Sequence, residues 1–343
     1  VTAYGQAITD TLADEAFIRG IYDDALLNQQ GYQWLEELCK EVGPRLAGSE
    51  GAERAVVWAQ ETLDTLGFDR VYLQPVEVPH WERGDLSVSI NGSNTPLNAC
   101  ALGGSVPTPE GGLTAEVIEM PDVDDLKGYS HEEIEGKIVF FSAPMPQTYI
   151  NTGSAYGEAV KKRHTGAMEA SKYGAVAVII RSVTTRMDDA PHTGSMTYEG
   201  AEKKIPSIAL GYQSADRLHK ALESNPELEV NMTLTSQWFD PVMSYNVIGE
   251  VIGSEFPDEI AVVGGHLDSW DIGEGAHDDG AGIVHTLEVL RILKAIGYTP
   301  KRTIRFVLFI NEENGNRGGK AYAAAANPIP CSFWPRYSGS SSL

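Results

Sequence analysis

Residues between 260 and 319 carry the groups with the clearest chemical potential in this sequence. His266 and Asp268 follow the apolar segment 260–263 and lie two residues apart, so on an extended strand their side chains point to the same side. A neutral imidazole can bind a metal through one ring nitrogen, while a carboxylate beside it can hold the other ring N–H. The pair therefore indicates a metal ligand with an orienting carboxylate.

Two acidic pairs complete this group of residues. Asp278 and Asp279 precede a segment with the apolar spacing of a helix, where the helix dipole favours a carboxylate. Glu312 and Glu313 follow the apolar segment 303–310. Adjacent residues at a strand end point in different directions, so one glutamate could bind a metal while the other acts as a base. Imidazole and carboxylate ligands favour zinc, with manganese or cobalt as lesser options.

Each feature also has a simpler explanation when it is taken alone. Asp278 and Asp279 could only cap a helix, and a glutamate pair at a strand end is usually solvated. A single His-x-Asp pattern is common on protein surfaces. We prefer the metal-site interpretation because all three features occur together, each at the end of an apolar element.

The surrounding pattern predicts the elements that would position these groups. Segments 258–265 and 303–310 are predicted as strands. The helix between them would have one apolar stripe, formed by Ile283, Leu287, Leu290 and Leu293. In open α/β sheets, ligand sites form where strands end, which is where the candidate residues lie.

Helices and strands alternate along the rest of the chain, which predicts an α/β protein. Residues 50–66 are predicted as an amphipathic helix that ends at Gly67. A composition rich in Gly, Pro, Ser and Thr around 96–112 predicts a domain boundary. Segment 244–250 is predicted as a strand that returns to the first domain and lies antiparallel to its neighbour, 258–265.

The charge of the chain restricts the classes of partner. With 26 Lys and Arg against 48 Asp and Glu in 343 residues, the formal net charge is −22. Nucleic acids and anionic membranes are bound through Lys and Arg clusters, so neither is an expected partner. Cys39, Cys100 and Cys331 are far apart and indicate neither a disulfide framework nor a cysteine-type metal site. No apolar run reaches the length of a transmembrane helix.

Three separated motifs resemble those of the co-catalytic zinc aminopeptidase and carboxypeptidase family. They are His266-Leu-Asp-Ser-Trp270, Gly275-Ala-His-Asp-Asp-Gly280 and Asn311-Glu-Glu-Asn-Gly315. Two further motifs are similar to the carboxypeptidase Q-like group of this family, namely Val42-Gly-Pro-Arg-Leu-Ala-Gly-Ser49 and Val78-Pro-His-Trp-Glu-Arg-Gly84. The resemblance covers residues 32 to about 326, and the motifs agree in order and spacing.

The resemblance implies a role for each candidate residue. His266 would bind one zinc ion, Glu313 the other and Asp278 both, so two Zn²⁺ are expected for the full-length protein. Asp268 would orient His266. Glu312 would be the general acid and base in peptide hydrolysis by a metal-activated water.

The resemblance also implies a fold and a domain organisation. The expected architecture is a three-layer αβα zinc-exopeptidase fold with a mixed central sheet, formed by residues 1–97 and 240–326. Residues 98–239 are expected to form an inserted protease-associated domain that shapes substrate access. In the family a cis peptide bond follows the bridging aspartate, which makes Asp278–Asp279 the candidate.

The C-terminal part of the sequence departs from this pattern. The family uses a further Asp and His after the glutamate pair, whereas residues 314–343 contain no Asp, Glu or His. The segment 327–343 is an aberrant tail that no longer resembles the family. We therefore expect a truncated or frame-shifted reading of a longer gene, in which part of the sheet is missing and each zinc lacks one ligand.

The expected function is that of a zinc-dependent exopeptidase that hydrolyses dipeptides or short peptides. Two alternatives stay open: an aminopeptidase of the same family with broader peptide substrates, and a catalytically inactive fragment or receptor-like module. Relatives of this type are typically exported and often homodimeric. The resemblance therefore implies an extracytoplasmic location, secreted or periplasmic, and a homodimer, with a peptide substrate as partner.

Overall fold

The computed structural model describes residues 2–93 and 96–326, with side chains from residue 13 onward. Within these residues the chain forms two compact units, the first containing residues up to 79 and from 241 on, the second residues 80–240. The second unit thus begins before position 98, where the sequence places the start of an insertion. The Gly- and Pro-rich stretch near 96–112 lies inside this unit because residues 99–101 form one of its strands.

The first unit begins with three helices and a long strand. These elements are α1 (Thr2–Leu27), α2 (Gly31–Glu37), α3 (Glu50–Thr65) and β1 (Arg70–Glu82). Helix α3 begins after Ser49, whose hydroxyl accepts a hydrogen bond from the N–H of Ala52 at 3.2 Å. Its apolar face, with Ala55, Ala59 and Leu63, is buried as the amphipathic pattern predicts.

Residues 80–240 contain most of the strands. Their elements are β2 (Leu86–Ile90), β3 (Ala99–Ala101), β4 (Leu113–Met120), α4 (His131–Ile134), β5 (Ile138–Phe141), α5 (Thr152–Ala159), α6 (Lys161–His164), α7 (Gly166–Ser171), β6 (Ala177–Arg181), β7 (Ser207–Leu210), α8 (Tyr212–Ser224) and β8 (Glu229–Leu234). The seven strands form one sheet in the order β2-β8-β4-β5-β6-β7-β3. Strands β4 to β7 are parallel, and β5, β6 and β7 are buried along their whole length.

The chain then completes the first unit with β9 (Gln237–Val251), β10 (Phe256–His266), α9 (Ala281–Ala295), β11 (Arg302–Phe309) and α10 (Arg317–Ala326). Four strands form its sheet in the order β1-β9-β11-β10. The predicted antiparallel pairing of β9 with β10 is wrong, because β11 lies between them. Val307 of β11 is paired with Ile248 of β9 on one side and with Gly264 of β10 on the other.

Helix α9 covers one face of this sheet and connects its two parallel strands, β10 and β11. Ile283 and Leu287 of α9 are fully buried in a cluster with Val247, Leu267 and Leu308. The predicted mixed α/β fold with mixed sheets is confirmed. The connection from β10 through α9 to β11 brings the carboxyl ends of two parallel strands to the same edge of the sheet.

Two further sequence predictions concern the C-terminal tail and the absence of a transmembrane helix. The tail 327–343, with Cys331, lies outside the described residues. Among the helices of residues 2–93 and 96–326, none has both the length and the apolar character needed to cross a bilayer.

Candidate metal centre

The register of two parallel strands brings the candidate residues together. His266, the last residue of β10, is paired with Phe309, the last residue of β11. The N–H of Leu267 continues this pairing by donating to the carbonyl of Phe309 at 2.6 Å. Glu312 and Glu313 follow directly after this strand end, so imidazole and carboxylates converge at one edge of the sheet.

Asp268 links the two strand ends. Its carboxylate is fully buried and accepts hydrogen bonds from the backbone N–H of Glu312 at 2.9 Å and of Glu313 at 3.2 Å. Its main-chain carbonyl accepts a hydrogen bond from Nδ1–H of His266 at 3.0 Å, whereas its carboxylate lies 3.8 Å from Nδ1. Burial raises the pKa of Asp268 to about 6. Asp268 therefore orients the imidazole through its carbonyl and the glutamate turn through its carboxylate.

The second ring nitrogen of His266, Nε2, faces a carboxylate. Nε2 of His266 lies 2.9 Å from Oδ1 of Asp278 and 3.9 Å from Oε2 of Glu312. Burial by itself would lower the pKa of His266, but the hydrogen bond to Asp278 and the charges of Asp268 and Glu312 raise it to about 9. The same hydrogen bond lowers the pKa of Asp278. In the absence of a cation, a proton on His266 thus balances the surrounding negative charge.

Glu313 lies closer to the interior than Glu312. Burial, together with the negative charges of Asp278 and Asp268, raises the pKa of Glu313 to about 8. Glu312 has 52% of its side chain exposed, so it faces the open side of the same group. The two adjacent glutamates thus occupy different environments, as their position after a strand predicts.

Asp279 ties the loop to the start of α9. One of its oxygens accepts a hydrogen bond from the N–H of His266 at 2.9 Å, and the other accepts from the N–H of Gly282 at 3.1 Å. Of the aspartate pair, Asp279 therefore contacts the first turn of α9, while Asp278 faces the imidazole. The peptide bond between Asp278 and Asp279 is cis, as the family resemblance implies.

The donor set fits a divalent cation. His266, Asp278 and Glu313 each offer a ligand atom, and these atoms lie within 4.8 Å of one another. One imidazole nitrogen with carboxylate oxygens suits zinc. A cation would also oppose the burial and the negative charges that raise the pKa of Glu313.

A shallow pocket opens beside these ligands. It is lined by Gly265, His266, Asp279, Phe309, Glu312, Asn316 and Gly319. Its walls therefore combine one predicted ligand, the predicted acid and base, and the start of helix α10. A small molecule in this pocket would lie against both His266 and Glu312.

Sequence reasoning assigned no role to Arg45, although it lies in one of the motifs that carry the resemblance. Arg45 is fully buried and donates hydrogen bonds to the carbonyls of Leu267 at 2.6 Å and Gly275 at 2.8 Å. Both acceptors belong to the loop between His266 and Asp278. The only signal in the sequence was a cation between small and apolar residues, a pattern that does not identify its partners.

Comparisons with solved structures give the same assignment of fold. A model of peptidase family M28 matches residues 246–334. The chain is 40% identical to a peptidase M28 precursor from Shewanella amazonensis SB2B, with a TM-score of 0.85 over 93% of this chain and 71% of that chain. It is 25% identical to BSAP, a zinc aminopeptidase from Bacillus subtilis, with a TM-score of 0.61 over 86% of this chain and 64% of that chain.

Curated proteins of similar sequence include several carboxypeptidases Q. The protein from Xenopus laevis is 39% identical over 294 residues, which are 85% of this chain and 61% of that protein. The protein from Homo sapiens is 37% identical, with 85% of this chain and 60% of that protein covered. The chain therefore spans about three fifths of the length of these curated relatives.

Proposed function

The chain belongs to peptidase family M28, and from this premise we propose that it is a zinc-dependent exopeptidase acting on dipeptides or short peptides. The observation that carries the proposal is the convergence of His266, Asp278 and Glu313 within 4.8 Å beside a pocket that also contains Glu312. The resemblance to the carboxypeptidase Q-like group favours small substrates with free termini.

In this proposal His266, Asp278 and Glu313 hold the metal. Asp278 is 74% exposed and has two carboxylate oxygens, so it can bridge two ions as the family resemblance implies. His266 would then belong to one ion and Glu313 to the other. Zinc is the proposed metal because of the donor set, and because one similar structure is that of a zinc aminopeptidase.

A bound zinc ion would polarise the peptide carbonyl and make an attacking water more acidic. The chain's own contribution is proton transfer and orientation. Glu312, exposed at the pocket, would accept the proton of the water and return it to the leaving amine. Asp268 would keep Glu312 in position, because its carboxylate holds the backbone N–H of Glu312 at 2.9 Å. The main-chain carbonyl of Asp268, which accepts from Nδ1–H, would keep His266 in the tautomer whose Nε2 can bind the metal.

Several wider properties follow from the same premise as proposals. Residues 80–240, with their own seven-stranded sheet, would be the protease-associated domain of this peptidase. Export from the cytoplasm and assembly into a homodimer are proposed from the resemblance. The alternative of a catalytically inactive fragment or receptor-like module is disfavoured because the chain retains His266, Asp278, Glu312 and Glu313.

The test combines metal binding with a substrate panel. The purified chain is titrated with zinc, and dipeptides, longer peptides with a free N-terminus and fully blocked peptides are assayed at saturating metal. We expect zinc-dependent cleavage of dipeptides, no cleavage of blocked peptides, and strongly reduced turnover by Glu312→Gln with zinc still bound. Preferred cleavage of the longer peptides would favour the aminopeptidase alternative, which the similarity to BSAP supports. Zinc binding without cleavage of any peptide would favour the inactive module.

A further inference from the structure

The buried guanidinium of Arg45 is a structural feature that the proposed chemistry does not explain. Arg45 has 0% of its surface exposed. Burial lowers its pKa, while nearby acidic groups, Cys39 and Asp268 first among them, oppose that effect. Placing a cation in the interior is costly unless its hydrogen bonds are well satisfied, so its partners indicate what it does.

The partners are main-chain carbonyls at both ends of one loop. Nε donates to the carbonyl of Leu267 at 2.6 Å, which is the residue after His266. Nη1 donates to the carbonyl of Glu274 at 2.9 Å, and Nη2 to that of Gly275 at 2.8 Å. A weaker contact joins Nη1 to the carbonyl of Gly43 at 3.4 Å. The guanidinium therefore closes the loop that begins after His266 and leads to Asp278.

The loop is shaped to pack against this side chain. Gly275 has a positive φ of 60°, and a Cβ at this position would lie 2.7 Å from Nη1 of Arg45 and 2.4 Å from Cβ of Ser269. The carbonyl of Gly275 also accepts the N–H of Gly280 at 3.0 Å. The same carbonyl thus connects Arg45 to the turn that contains Asp278.

A guanidinium is suited to this task in a way that an ammonium group is not. It presents five N–H donors in a fixed planar fork, so it can hold carbonyls on two sides at once. Lysine carries the same charge on a flexible stem and donates from a single nitrogen. The separation of the two loop ends would therefore be set by the width of the guanidinium group.

We propose that Arg45 is a positioning residue that holds His266 and Asp278 at metal-binding separation by closing the loop between them. Arg45 acts through the backbone of that loop and makes no bond to the metal or the substrate. This inference rests on the proposed function, because it assumes that His266 and Asp278 are ligands. It adds a determinant of metal affinity that lies outside the ligand set.

The test compares Arg45→Lys with a matched control, Arg181→Lys. Arg181 is also buried, and it donates to the carbonyls of Ser142 at 2.7 Å and Tyr212 at 3.1 Å in the second unit. For both variants, zinc affinity is measured by competition with a chromophoric chelator and the melting temperature is measured without metal. The visible spectrum after cobalt substitution reports the geometry of the ligands.

We expect Arg45→Lys to bind zinc about 10–100-fold more weakly than the unchanged chain and to give an altered cobalt spectrum. Arg181→Lys should melt at a lower temperature with unchanged zinc affinity and spectrum. Unchanged zinc affinity and spectrum in Arg45→Lys would overturn the inference. So would a loss of affinity in both variants that follows their loss of stability.

A second variant carries the test if Arg45→Lys does not fold. Gly275→Ala keeps the guanidinium but displaces the loop from it, and we expect the same loss of zinc affinity and the same change of spectrum. Wild-type affinity and spectrum in Gly275→Ala would contradict the inference. If the unchanged chain binds no zinc, the proposed function fails. If the unchanged chain binds zinc and the variants bind it equally well, only the inference about Arg45 fails.

Discussion

Parallel strands end at polar residues in both units, but the polar groups are satisfied to different degrees. At the end of β6 in the second unit, Arg181 forms an ion pair with Asp216 at 2.7 Å and a hydrogen bond to the carbonyl of Ser142 at 2.7 Å. The next residue, Ser182, donates to the carbonyl of Leu210 at 2.6 Å. These partners neutralise the charge and satisfy the donors, as a purely structural network requires.

The ends of β10 and β11 in the first unit are different. His266, Asp278 and Glu313 gather there, and burial together with the charges of Asp278 and Asp268 raises the pKa of Glu313 to about 8. Such a group is costly in the free protein and becomes favourable when a cation binds. The comparison shows one difference: at the end of β6 a permanently charged guanidinium pairs with one carboxylate, whereas at the ends of β10 and β11 several carboxylates surround one imidazole, where either a proton or a metal ion can supply the positive charge.

The largest expected effect is the loss of activity when Glu312, at the strand ends of the first unit, is replaced. If the polar groups of the first unit serve hydrolysis, Glu312→Gln should lower kcat by about 10²–10⁴-fold, because proton transfer is lost while the shape of the side chain is kept. Zinc content should stay at the level of the unchanged chain, since Glu312 is not a proposed ligand. Steady-state kinetics and metal analysis measure both. A kcat within threefold of the parent would remove Glu312 from the mechanism.

The second prediction tests whether the buried sheet of the second unit is purely structural. Phe140 of β5 is fully buried, so Phe140→Ala should lower the free energy of unfolding of that unit by about 3–5 kcal/mol. Hydrogen exchange of amides in residues 80–240 under increasing denaturant gives this value. Zinc affinity should not change. A loss of affinity comparable to the loss of stability would show that the two units are not independent in this respect.

The third prediction concerns pH and the metal-free site. Because the pKa of His266 is raised to about 9 and that of Glu313 to about 8, both residues hold a proton at pH 7 that metal binding must displace. Zinc affinity should rise with pH up to about 9, with up to about two protons released per chain at pH 7 when both residues bind metal. Calorimetric titration in buffers of different ionisation enthalpy measures the proton count.

The stability of the metal-free protein should change with pH in the opposite direction to the zinc affinity. The raised pKa of His266 stabilises the folded state below pH 6.5, and this contribution is lost as the pH rises toward 9. The raised pKa of Glu313 means that the folded state holds a proton that the unfolded chain has already lost above pH 4.5, so its effect has the same direction up to pH 8. A melting temperature of the metal-free chain that increases between pH 6.5 and 9 would contradict both assignments.

The smallest expected effect is on the free energy of unfolding, when a valine is replaced in an exposed and in a buried parallel strand. Val262 of β10 is 46% exposed, whereas Val178 of β6 is fully buried. Val178→Thr should cost about 1–3 kcal/mol because it buries a hydroxyl. Val262→Thr should change the free energy of unfolding by less than about 0.5 kcal/mol, as expected for an exposed site. Equal costs would mean that β10 is covered in solution by something outside the described residues.

Local pattern and family motifs together predicted much of the candidate site. The apolar segments around 260 and 303–310 are strands, the apolar stripe between them is a helix, and their ends converge. The resemblance to zinc aminopeptidases and carboxypeptidases is confirmed by the membership in family M28. The resemblance also implied the cis bond between Asp278 and Asp279. The roles of the individual ligands stay predictions.

The errors have a common physical origin, which is long-range contact. Strand β9 was paired with β10 because they are neighbours in sequence, but β11 pairs with both through contacts that no short window contains. The loop contacts of Arg45 were missed because their acceptors are backbone carbonyls more than 200 positions away, and a carbonyl has no sequence signature.

The division of the first unit along the chain has a consequence for protein synthesis. Its core joins Trp34 and Leu63, from before residue 80, to Leu287 and Leu308, from after residue 240. On a ribosome that adds 5–20 residues per second, the intervening residues 80–240 take about 8–32 s to make. The second unit can therefore fold on the nascent chain before the strands and helices after residue 240 are available to pack against the early helices of the first unit.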